Sequence, residues 1–315
     1  MASVLALVLP LFSLILIGYI AGKVAKLPIE GLAWMNFFIV YIALPAMFFQ
    51  LLAKTPIEQF SNLGFIALTT GTTFIVFLIA FSIAYLRNKG DIAQSTIQGY
   101  AGAYGNIGYM GPPLALLAFG PEAGIPVALV FCFDNTLHFV LAPTLMGAAR
   151  RDKTSIWRLV KNILINIFTH PFIIATILGV LAAFSAFKAP LILERILEFL
   201  QVTAGPCALF VMGVTSALRP LKKVPTELLY LVPLKLLVQP ILLYFVLTTF
   251  VPDLNSIWLY SAVLLAGLPA ATNVFVLAQQ YSVWQERASS AIIISTLLAV
   301  FTLTMYLYMI EIKWI

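Results

Sequence analysis

Two apolar stretches of this chain carry proline, glycine and asparagine in their middle. The first reads Ala-Tyr-Gly-Asn-Ile-Gly-Tyr-Met-Gly-Pro-Pro-Leu over residues 103–114, and the second reads Leu-Ala-Gly-Leu-Pro-Ala-Ala-Thr-Asn-Val over residues 265–274. Proline lacks a backbone donor, clashes with the preceding turn and pushes the residue before it out of the helical region. Each stretch is therefore predicted to interrupt a helix. The second half of an interrupted helix starts with free N–H groups and a partial positive charge, which suit an anion such as a carboxylate.

The candidate substrate-binding residues all belong to these two predicted breaks. Three of them, Asn106, Thr272 and Asn273, could donate neutral hydrogen bonds to a carboxylate. In the alternative interpretation, the prolines only kink their helices and the asparagines satisfy the freed backbone groups. The recurrence of the pattern in both halves of the chain favours a binding site. The full set is Asn106, Gly111, Pro112, Pro113, Pro269, Thr272 and Asn273.

Three ionisable residues also fall inside apolar stretches, where a charge is costly enough to indicate a function. Asp134 and His138 are one helical turn apart, and Lys235 shares a helix face with Gln239. Asp134 could pick up and release a proton during transport, or Asp134 and Lys235 could form a static buried pair. Lys235 could also meet a substrate carboxylate directly, whereas His138 by itself is more often a packing residue.

The elements that must position these residues are membrane-spanning helices. Hydrophobic residues make up 62% of the 315 residues and charged residues 10%, with a mean hydropathy of +1.03. A soluble globular protein is nearer to half apolar and a quarter charged. A spanning helix needs about 20 mostly apolar residues. On that rule the chain is predicted to be an all-α polytopic membrane protein with ten transmembrane helices, near residues 3–22, 32–53, 63–86, 93–119, 122–148, 159–184, 190–218, 225–250, 256–281 and 286–310.

Lysine and arginine are distributed unevenly between the two ends of these spans. Thirteen lie at one end and four at the other, with Lys235 inside a span. Because basic loops stay in the cytoplasm, both termini are predicted to be extracytoplasmic and the short loop at 149–158 cytoplasmic, in the inner or plasma membrane. This distribution accounts for the net charge of +6 without a nucleic-acid partner. The expected partners are the lipid bilayer and a small organic anion.

An internal repeat relates the two halves of the chain. Three pairs of landmarks recur at an offset of 161 residues: Pro10 and Pro171, Gly18 and Gly179, and Pro45 and Pro206. The offset matches span 1 with span 6 and span 2 with span 7, so that each repeat, 1–148 and 159–315, holds five spans. An odd number of spans inverts the second copy. Inverted repeats are a transporter architecture in which substrate binds near the bilayer midplane.

Four short motifs resemble the auxin efflux carrier family. They are Gly-Asn-Ile-Gly-Tyr-Met-Gly-Pro-Pro (105–113), Ala-Leu-Pro-Ala (43–46), Leu-Lys-Leu-Leu-Val-Gln-Pro (234–240) and Gly-Leu-Pro-Ala-Ala-Thr-Asn (267–273). That family includes plant auxin exporters and bacterial permeases linked to malonate and related acids, and the short central loop is closer to the compact bacterial members. The resemblance implies a scaffold of spans 1, 2, 6 and 7, an elevator-like transport domain of spans 3–5 and 8–10, and a homodimer. It also implies that helices 4 and 9 cross at their breaks, with crossover roles for Asn106, Pro112 or Pro113, Pro269 and Asn273.

The expected function is secondary active transport of a small organic anion, either a malonate-like carboxylate or an auxin-like acid. A proton gradient or the membrane potential would drive it, with the proton as the coupling ion. The alternatives are a sodium-coupled organic-anion symporter of the bile-acid type and an anion channel. The chain is not expected to be an enzyme or to hold a metal or organic cofactor, because Asp134 and His138 lack a serine or metal partner that the sequence can place.

Overall fold

A computed structural model describes residues 2–25, 27–55, 62–150, 156–185, 187, 189–219 and 224–312. These residues form helices with no β-strand among them, apart from an isolated antiparallel bridge between Gly105 and Ala270. The all-helical class predicted from the sequence is therefore confirmed. Residues 151–155 of the predicted cytoplasmic loop lie outside the described residues. So do seven of the basic residues used to predict orientation: Lys26, Arg151, Lys153, Lys188, Lys222, Lys223 and Lys313.

Within the described ranges, seven helical segments are long and apolar enough to cross a bilayer. They are Val4–Ala25, Ile29–Ala53, Leu63–Arg87, Pro121–Ala149, Leu191–Leu218, Leu228–Phe250 and Gln285–Glu311. Val160–Phe168 and Pro171–Phe184 form an eighth candidate that bends by 61°. The other two predicted spans, 93–119 and 256–281, are each divided into two shorter helices. A multi-pass helical membrane protein is thus confirmed, while ten spans in two repeats stay a prediction.

The helices are labelled in chain order as follows: α1 (Ala2–Ala25), α2 (Ala33–Phe37), α3 (Leu44–Ala53), α4 (Leu63–Arg87), α5 (Ile92–Ala103), α6 (Gly111–Phe119), α7 (Gly124–Arg150), α8 (Ile156–Phe168), α9 (Pro171–Phe184), α10 (Leu191–Leu218), α11 (Leu228–Pro233), α12 (Gln239–Phe250), α13 (Ser256–Ala266), α14 (Asn273–Gln280) and α15 (Gln285–Glu311). Short 3₁₀ turns lie at Ile29–Leu32 and Pro121–Ala123, and π-helical segments lie at Phe38–Ala43 and Leu234–Val238.

The second π-helical segment contains Lys235 and leads into α12, whose second residue is Pro240. Because Pro240 has no N–H, the carbonyl of Leu236 loses its intrahelical donor. The Tyr306 hydroxyl of α15 donates to that carbonyl at 2.5 Å. A side chain from another helix therefore replaces the missing bond. Single π turns of this kind are frequent at functional sites.

Close approach of two backbones holds α1 against α10. A Cβ added at Gly18 would come closer than 3.0 Å to the carbonyl oxygen of Phe210, and one added at Gly213 would do the same at the carbonyl oxygen of Ile15. Real Cβ atoms essentially never show such separations. Small residues at helix crossings let membrane helices pack by close contact, since lipid supplies no hydrophobic force between them.

The helices pack in two groups. In the first, α10 contacts α1, α2 and α3, while α3 contacts α9. The second consists of α4 to α7 and α11 to α15, each of which contacts at least one other member. The groups meet where α6 and α15 contact α1, where α6 contacts α10, and where α7 contacts α3 and α9. Helix α8 contacts α9 of the first group and α7 of the second. The two interrupted segments, between α5 and α6 and between α13 and α14, belong to the second group.

Candidate functional site

The two interrupted segments contact each other through their backbones. The Asn106 amide donates to the carbonyl of Pro269 at 2.8 Å, and the Ala271 amide donates to the carbonyl of Tyr104 at 2.9 Å. These two bonds flank the antiparallel bridge described above. Each break thus satisfies backbone groups of the other, which would be costly to leave unpaired in an apolar interior.

The first break lies before the prolines that predicted it. Because α6 begins at Gly111, Pro112 and Pro113 occupy its first turn, where a missing N–H costs little. A Cβ added at Gly111 would lie 2.8 Å from a methyl of Leu265 in α13, and one added at Gly205 in α10 would lie 2.8 Å from Pro113. Gly111 and Pro113 therefore pack the half-helix against its neighbours, and none of the Gly-Pro-Pro residues lines the central cavity described below.

The second break is held by a side chain that the sequence did not single out. The Ala270 amide donates to the Ser295 hydroxyl of α15 at 3.1 Å, and Ser295 is buried. Thr272 is the residue before α14, and its side chain makes no capping bond there. Its hydroxyl is therefore not committed to the helix terminus.

The side chains of Asn106 and Asn273 make no hydrogen bond to the freed backbone. The Asn106 amide nitrogen donates to the sulfur of Met212 at 3.2 Å, and the Asn273 amide nitrogen donates to the Tyr104 hydroxyl at 3.2 Å. A thioether is a weak acceptor, so the Asn106 amide is held loosely. Asn106 is buried, whereas Asn273 is exposed to the open space around it. Both amides can therefore serve a ligand.

A cavity of about 160 Å³, here called the central cavity, lies against the two breaks. Asn106, Thr272 and Asn273 line it together. No Asp, Glu, Lys or Arg of the described residues lines it. Its walls suit a small ligand with a polar head and an apolar flank. The other lining residues are Val40, Leu44, Tyr104, Gly105, Gly108, Tyr109, Phe131, Asn135, His170, Phe172 and Ala271.

Tyr104 connects the breaks to α7. Its hydroxyl donates to Asn135 Oδ1 at 2.5 Å and accepts from Asn273, while its ring stacks on His138 with centroids 3.8 Å apart. The Asn135 amide nitrogen donates to the carbonyl of Phe131 at 2.7 Å. Sequence reasoning missed Tyr104 and Asn135. Tyr104 does lie inside the first proline-containing motif, and Asn135 adjoins Asp134 in the same span.

Asp134 lies on the other side of the first break, in a polar cluster with α4 and α12. Thr73 donates to Asp134 Oδ2 at 3.0 Å, and Gln239 donates to the Thr73 hydroxyl at 3.2 Å. Asp134 Oδ1 and Gln239 Oε1 are buried and have no hydrogen-bond partner among the described residues. These groups and Lys235 surround a small cavity of about 10 Å³, which is close to the space of one water molecule.

Lys235 is fully buried, and its ammonium donates to the carbonyl of Ala266 at the end of α13. It does not form an ion pair with Asp134 within 4.0 Å, although both line the small cavity. Gly105 lines both the small and the central cavity, and a Cβ added there would lie 3.2 Å from the Lys235 nitrogen. Lys235 is thus separated from the central cavity by the backbone of the first break.

His138 has different neighbours from Asp134 despite their shared helix face. Its Nδ1 lies 2.5 Å from the backbone carbonyl oxygen of Asp134, and its Nε2 has no partner among the described residues. The Tyr100 hydroxyl donates to the His138 carbonyl at 2.7 Å. His138 lines a cavity of about 410 Å³ between α8, α9, α7 and α14, here called the α8–α14 cavity, which Tyr104 and Asn273 also line.

Two further cavities lie between the helix groups. The outer cavity, about 770 Å³, lies where α3 ends and α7 and α13 begin, and Lys54, Glu122 and Trp258 are among its lining residues. The Arg219 cavity, about 180 Å³, shares Tyr109, Thr272 and Asn273 with the central cavity. Its lining residues are Asn36, Tyr109, Val211, Met212, Thr215, Arg219, Thr272, Asn273 and Val276.

Comparison with known proteins places the whole chain among transporters. Residues 3–307 match the family described as membrane transport protein, which includes the auxin efflux carriers. The chain is 51% identical over 311 residues to a Rhizobium meliloti protein named "Putative malonate transporter", covering 99% of this chain and 97% of the relative. It is also 27% identical over 306 residues to an uncharacterized transporter of Methanothermobacter thermautotrophicus, covering 95% and 96% of the two chains. The predicted resemblance to the auxin efflux carriers is confirmed.

Proposed function

Because the chain belongs to the membrane transport protein family that includes the auxin efflux carriers, we propose that it is a secondary active transporter of a small organic anion. Malonate is the representative substrate, chosen from the name of the 51% identical relative. A membrane location and a transport role follow from the family. The substrate, the coupling ion and the motion are the proposal.

The observation that carries this proposal is the mutual hydrogen bonding of the two breaks beside the central cavity. It brings Asn106 of the first break and Thr272 and Asn273 of the second to one cavity wall. A carboxylate is an acceptor-only group, and these side chains offer amide and hydroxyl donors. The start of α14 adds a partial positive charge without a full cation. Phe131 and Phe172 would contact the apolar part of the substrate.

The proposal includes ten spans arranged as two inverted five-helix repeats. The α1–α10 and α3–α9 contacts support it, because they use equivalent positions. Gly18 approaches the carbonyl oxygen of Phe210, and Gly179 approaches that of Phe49. Both the two glycines and the two phenylalanines are 161 residues apart, which is the offset of the sequence repeat. The two contacts are therefore what two copies of one motif would make.

The proposal also assigns α1–α3 and α8–α10 to a scaffold, and α4–α7 and α11–α15 to a transport domain that moves as an elevator. The two packing groups support this division for every helix except α8, which contacts both groups. The outer cavity is lined by Lys54 and Glu198 from the first group and by Glu122 and Trp258 from the second. A cavity lined from both groups is where sliding of one against the other would alternately open and close the site.

We assign the coupling proton to Asp134 in the small cavity. Its Oδ1 has no partner among the described residues, and Lys235 lies nearby without a direct ion pair. An uncompensated carboxyl group at membrane depth is a functional candidate. Sodium held by the same oxygen-rich cluster is the alternative coupling ion.

The remaining parts of the proposal concern location and assembly. The protein would lie in the cell membrane with both termini extracytoplasmic, as the distribution of lysine and arginine predicts. It would function as a homodimer, which is the assembly that the family resemblance implies. Accessibility labelling of single cysteines introduced near each terminus would test the orientation.

The experiment is uptake of radiolabelled malonate by purified full-length protein in liposomes, under an imposed pH gradient and separately under a sodium gradient. Asn273→Ala removes an accessible donor of the central cavity. Asn162→Ala, on the exposed surface of α8, is the matched control. Saturable, pH-driven uptake is expected in the wild type and the control, with loss of about tenfold or more in Asn273→Ala.

Three outcomes would contradict parts of the proposal. Uptake driven by sodium alone would replace the proton with sodium as the coupling ion. Flux that does not saturate and is unchanged in Asn273→Ala would indicate a channel. No uptake of malonate or of competing carboxylates under either gradient would refute the substrate class.

A further inference from the structure

Arg219 is a cation in a cavity to which the described residues bring no matching anion. It follows directly on α10, and its guanidinium carbon lies 3.8 Å from the ring centroid of Phe275 in the first turn of α14. Its Nε is buried and has no hydrogen-bond partner among the described residues. Stacking on an aromatic face orients a guanidinium but uses none of its five N–H donors. The Arg219 guanidinium is thus held in position while its N–H donors stay available to a ligand.

None of the described residues around Arg219 carries a charge that would neutralise it. Of the described residues that line the Arg219 cavity, none is Asp or Glu. The only ion pairs among the described residues join Lys54 to Glu194 and Arg287 to Glu227. Arg219 is partly buried, and a charge removed from water is costly unless it is paired, so an anionic ligand would complement it. Arginine suits a carboxylate because its planar donors can bind both oxygens.

The Arg219 cavity shares lining residues with the central cavity, where the proposal places a carboxylate. Tyr109, Thr272 and Asn273 line both the Arg219 cavity and the central cavity. Thr272 and Asn273, at the start of α14, thus border both the central cavity, which offers neutral donors, and the Arg219 cavity, which offers a cation. Lys235, the buried cation singled out from the sequence, lines neither cavity. Arg219 is therefore the cation placed to meet a second acidic group of a bound molecule.

We infer that Arg219 is a specificity-determining residue that binds the second carboxylate of a short-chain dicarboxylate whose first carboxylate occupies the central cavity. This inference rests on the proposed function and adds that the substrate is a dianion. A monocarboxylate would fill the central cavity alone and leave the guanidinium without an anion. Selection between diacids and monoacids then comes from one residue at the end of α10.

The test compares two ligands of nearly equal shape, malonate and its monoamide malonamate. Binding of each to purified full-length protein is measured by competition with labelled malonate at neutral pH, where both carboxyls of malonate are ionised. Arg219→Gln removes the cation, Arg219→Lys keeps a point charge, and Asn106→Ala removes a donor that lines the central cavity but not the Arg219 cavity. Arg158→Gln, an exposed arginine of α8 that lines none of the cavities described, controls for loss of a positive charge. Unchanged unfolding temperatures would identify the variants that are folded.

The wild type and Arg158→Gln should prefer malonate by about tenfold or more, as expected for a charge-assisted hydrogen bond. Arg219→Gln should bind malonate and malonamate nearly equally, because the substitution removes only the bond to the second carboxylate, which malonamate lacks. Arg219→Lys should retain an intermediate preference, which also answers any concern that Arg219→Gln is misfolded. Asn106→Ala should weaken the binding of both ligands and leave the ratio of their affinities unchanged, because Asn106 lines the central cavity alone.

Two results would overturn the inference in distinguishable ways. A preference for malonate that persists unchanged in folded Arg219→Gln would refute the role of Arg219 and leave the proposed function standing. It would assign Arg219 to membrane orientation alone. Absence of malonate binding by the wild type would refute malonate as the representative substrate and this inference with it.

Discussion

Substituting Gly18 by alanine should separate two helices that touch through their backbones. The added Cβ would lie closer than 3.0 Å to the Phe210 carbonyl oxygen and 3.2 Å from the Gly213 Cα. Because these obstacles are backbone atoms, α1 must move away from α10 along their crossing. Overpacking of this kind costs about 1–3 kcal/mol, and the higher helix propensity of alanine offsets about 1 kcal/mol of it. We expect a net destabilisation of up to about 2 kcal/mol.

The assay is thermal unfolding of the purified protein in one detergent, followed by intrinsic fluorescence. A domain of 150–250 residues loses about 2–4 °C in Tm per kcal/mol, so Gly18→Ala should lower Tm by several degrees. Gly71→Ala in α4 is the control, since an added Cβ there meets nothing within 4 Å, and it should be neutral or stabilising. Gly179→Ala, whose Cβ would lie 2.9 Å from the Leu52 Cβ, should fall between them. Equal Tm values for Gly18→Ala and Gly71→Ala would refute the close-packing argument.

Three further predictions concern single groups. Tyr306→Phe leaves the Leu236 carbonyl without its donor and should lower the free energy of unfolding by about 1–3 kcal/mol, as followed by thermal unfolding. An effect no larger than that of Tyr308→Phe would show that another donor replaces the Tyr306 hydroxyl. Tyr104→Phe removes the hydroxyl that accepts from the Asn273 amide and should raise the KM for malonate uptake by about fivefold, as loss of roughly 1 kcal/mol implies; an unchanged KM would exclude this bond from substrate binding. Asp134→Asn should abolish pH-driven uptake but keep the Kd for malonate in detergent within about threefold of the wild-type value, because Asp134 does not line the central cavity. Uptake that still follows the pH gradient would place the coupling proton on another residue.

The sequence predicts the breaks because proline and glycine act locally. The stretches 103–114 and 265–274 are both interrupted, and Asn106, Thr272 and Asn273 line one cavity. The position of the first interruption differs from the expectation, since Pro112 and Pro113 fit the first turn of α6 and the chain departs from the helix earlier.

Partners across helices could not be predicted, and the reason is physical. In a soluble helix, polar residues mark the face turned away from the core. In a membrane protein, lipid and interior are equally apolar, so hydrophobic periodicity does not show which face looks inward. Nothing in the sequence therefore distinguishes Ser295, which receives the Ala270 amide, from other serines of α15. For the same reason the sequence does not show that Asp134 and His138, one helical turn apart, have different neighbours.

Arg219 shows a different limit of sequence reasoning. It is one of the thirteen basic residues at the predicted cytoplasmic ends of the spans, and the rule behind that prediction treats every positive charge near a span end alike. Its stacking on Phe275 and its cavity depend on how α10 and α14 meet. The contact between α10 and α14 depends on tertiary packing, which the positions of charges along the sequence do not reveal.

The bonds between the two breaks have a consequence for synthesis of the chain. The Tyr104 carbonyl and the Asn106 amide leave the ribosome some 160 residues before their partners at Ala271 and Pro269. At about 5–20 residues per second, the first break waits on the order of ten seconds or more for the second. Lipid offers no hydrogen bonds to these groups during that interval. The early helices must therefore keep this segment at the aqueous surface or within the insertion machinery, and release it into the bilayer only once the later helices arrive.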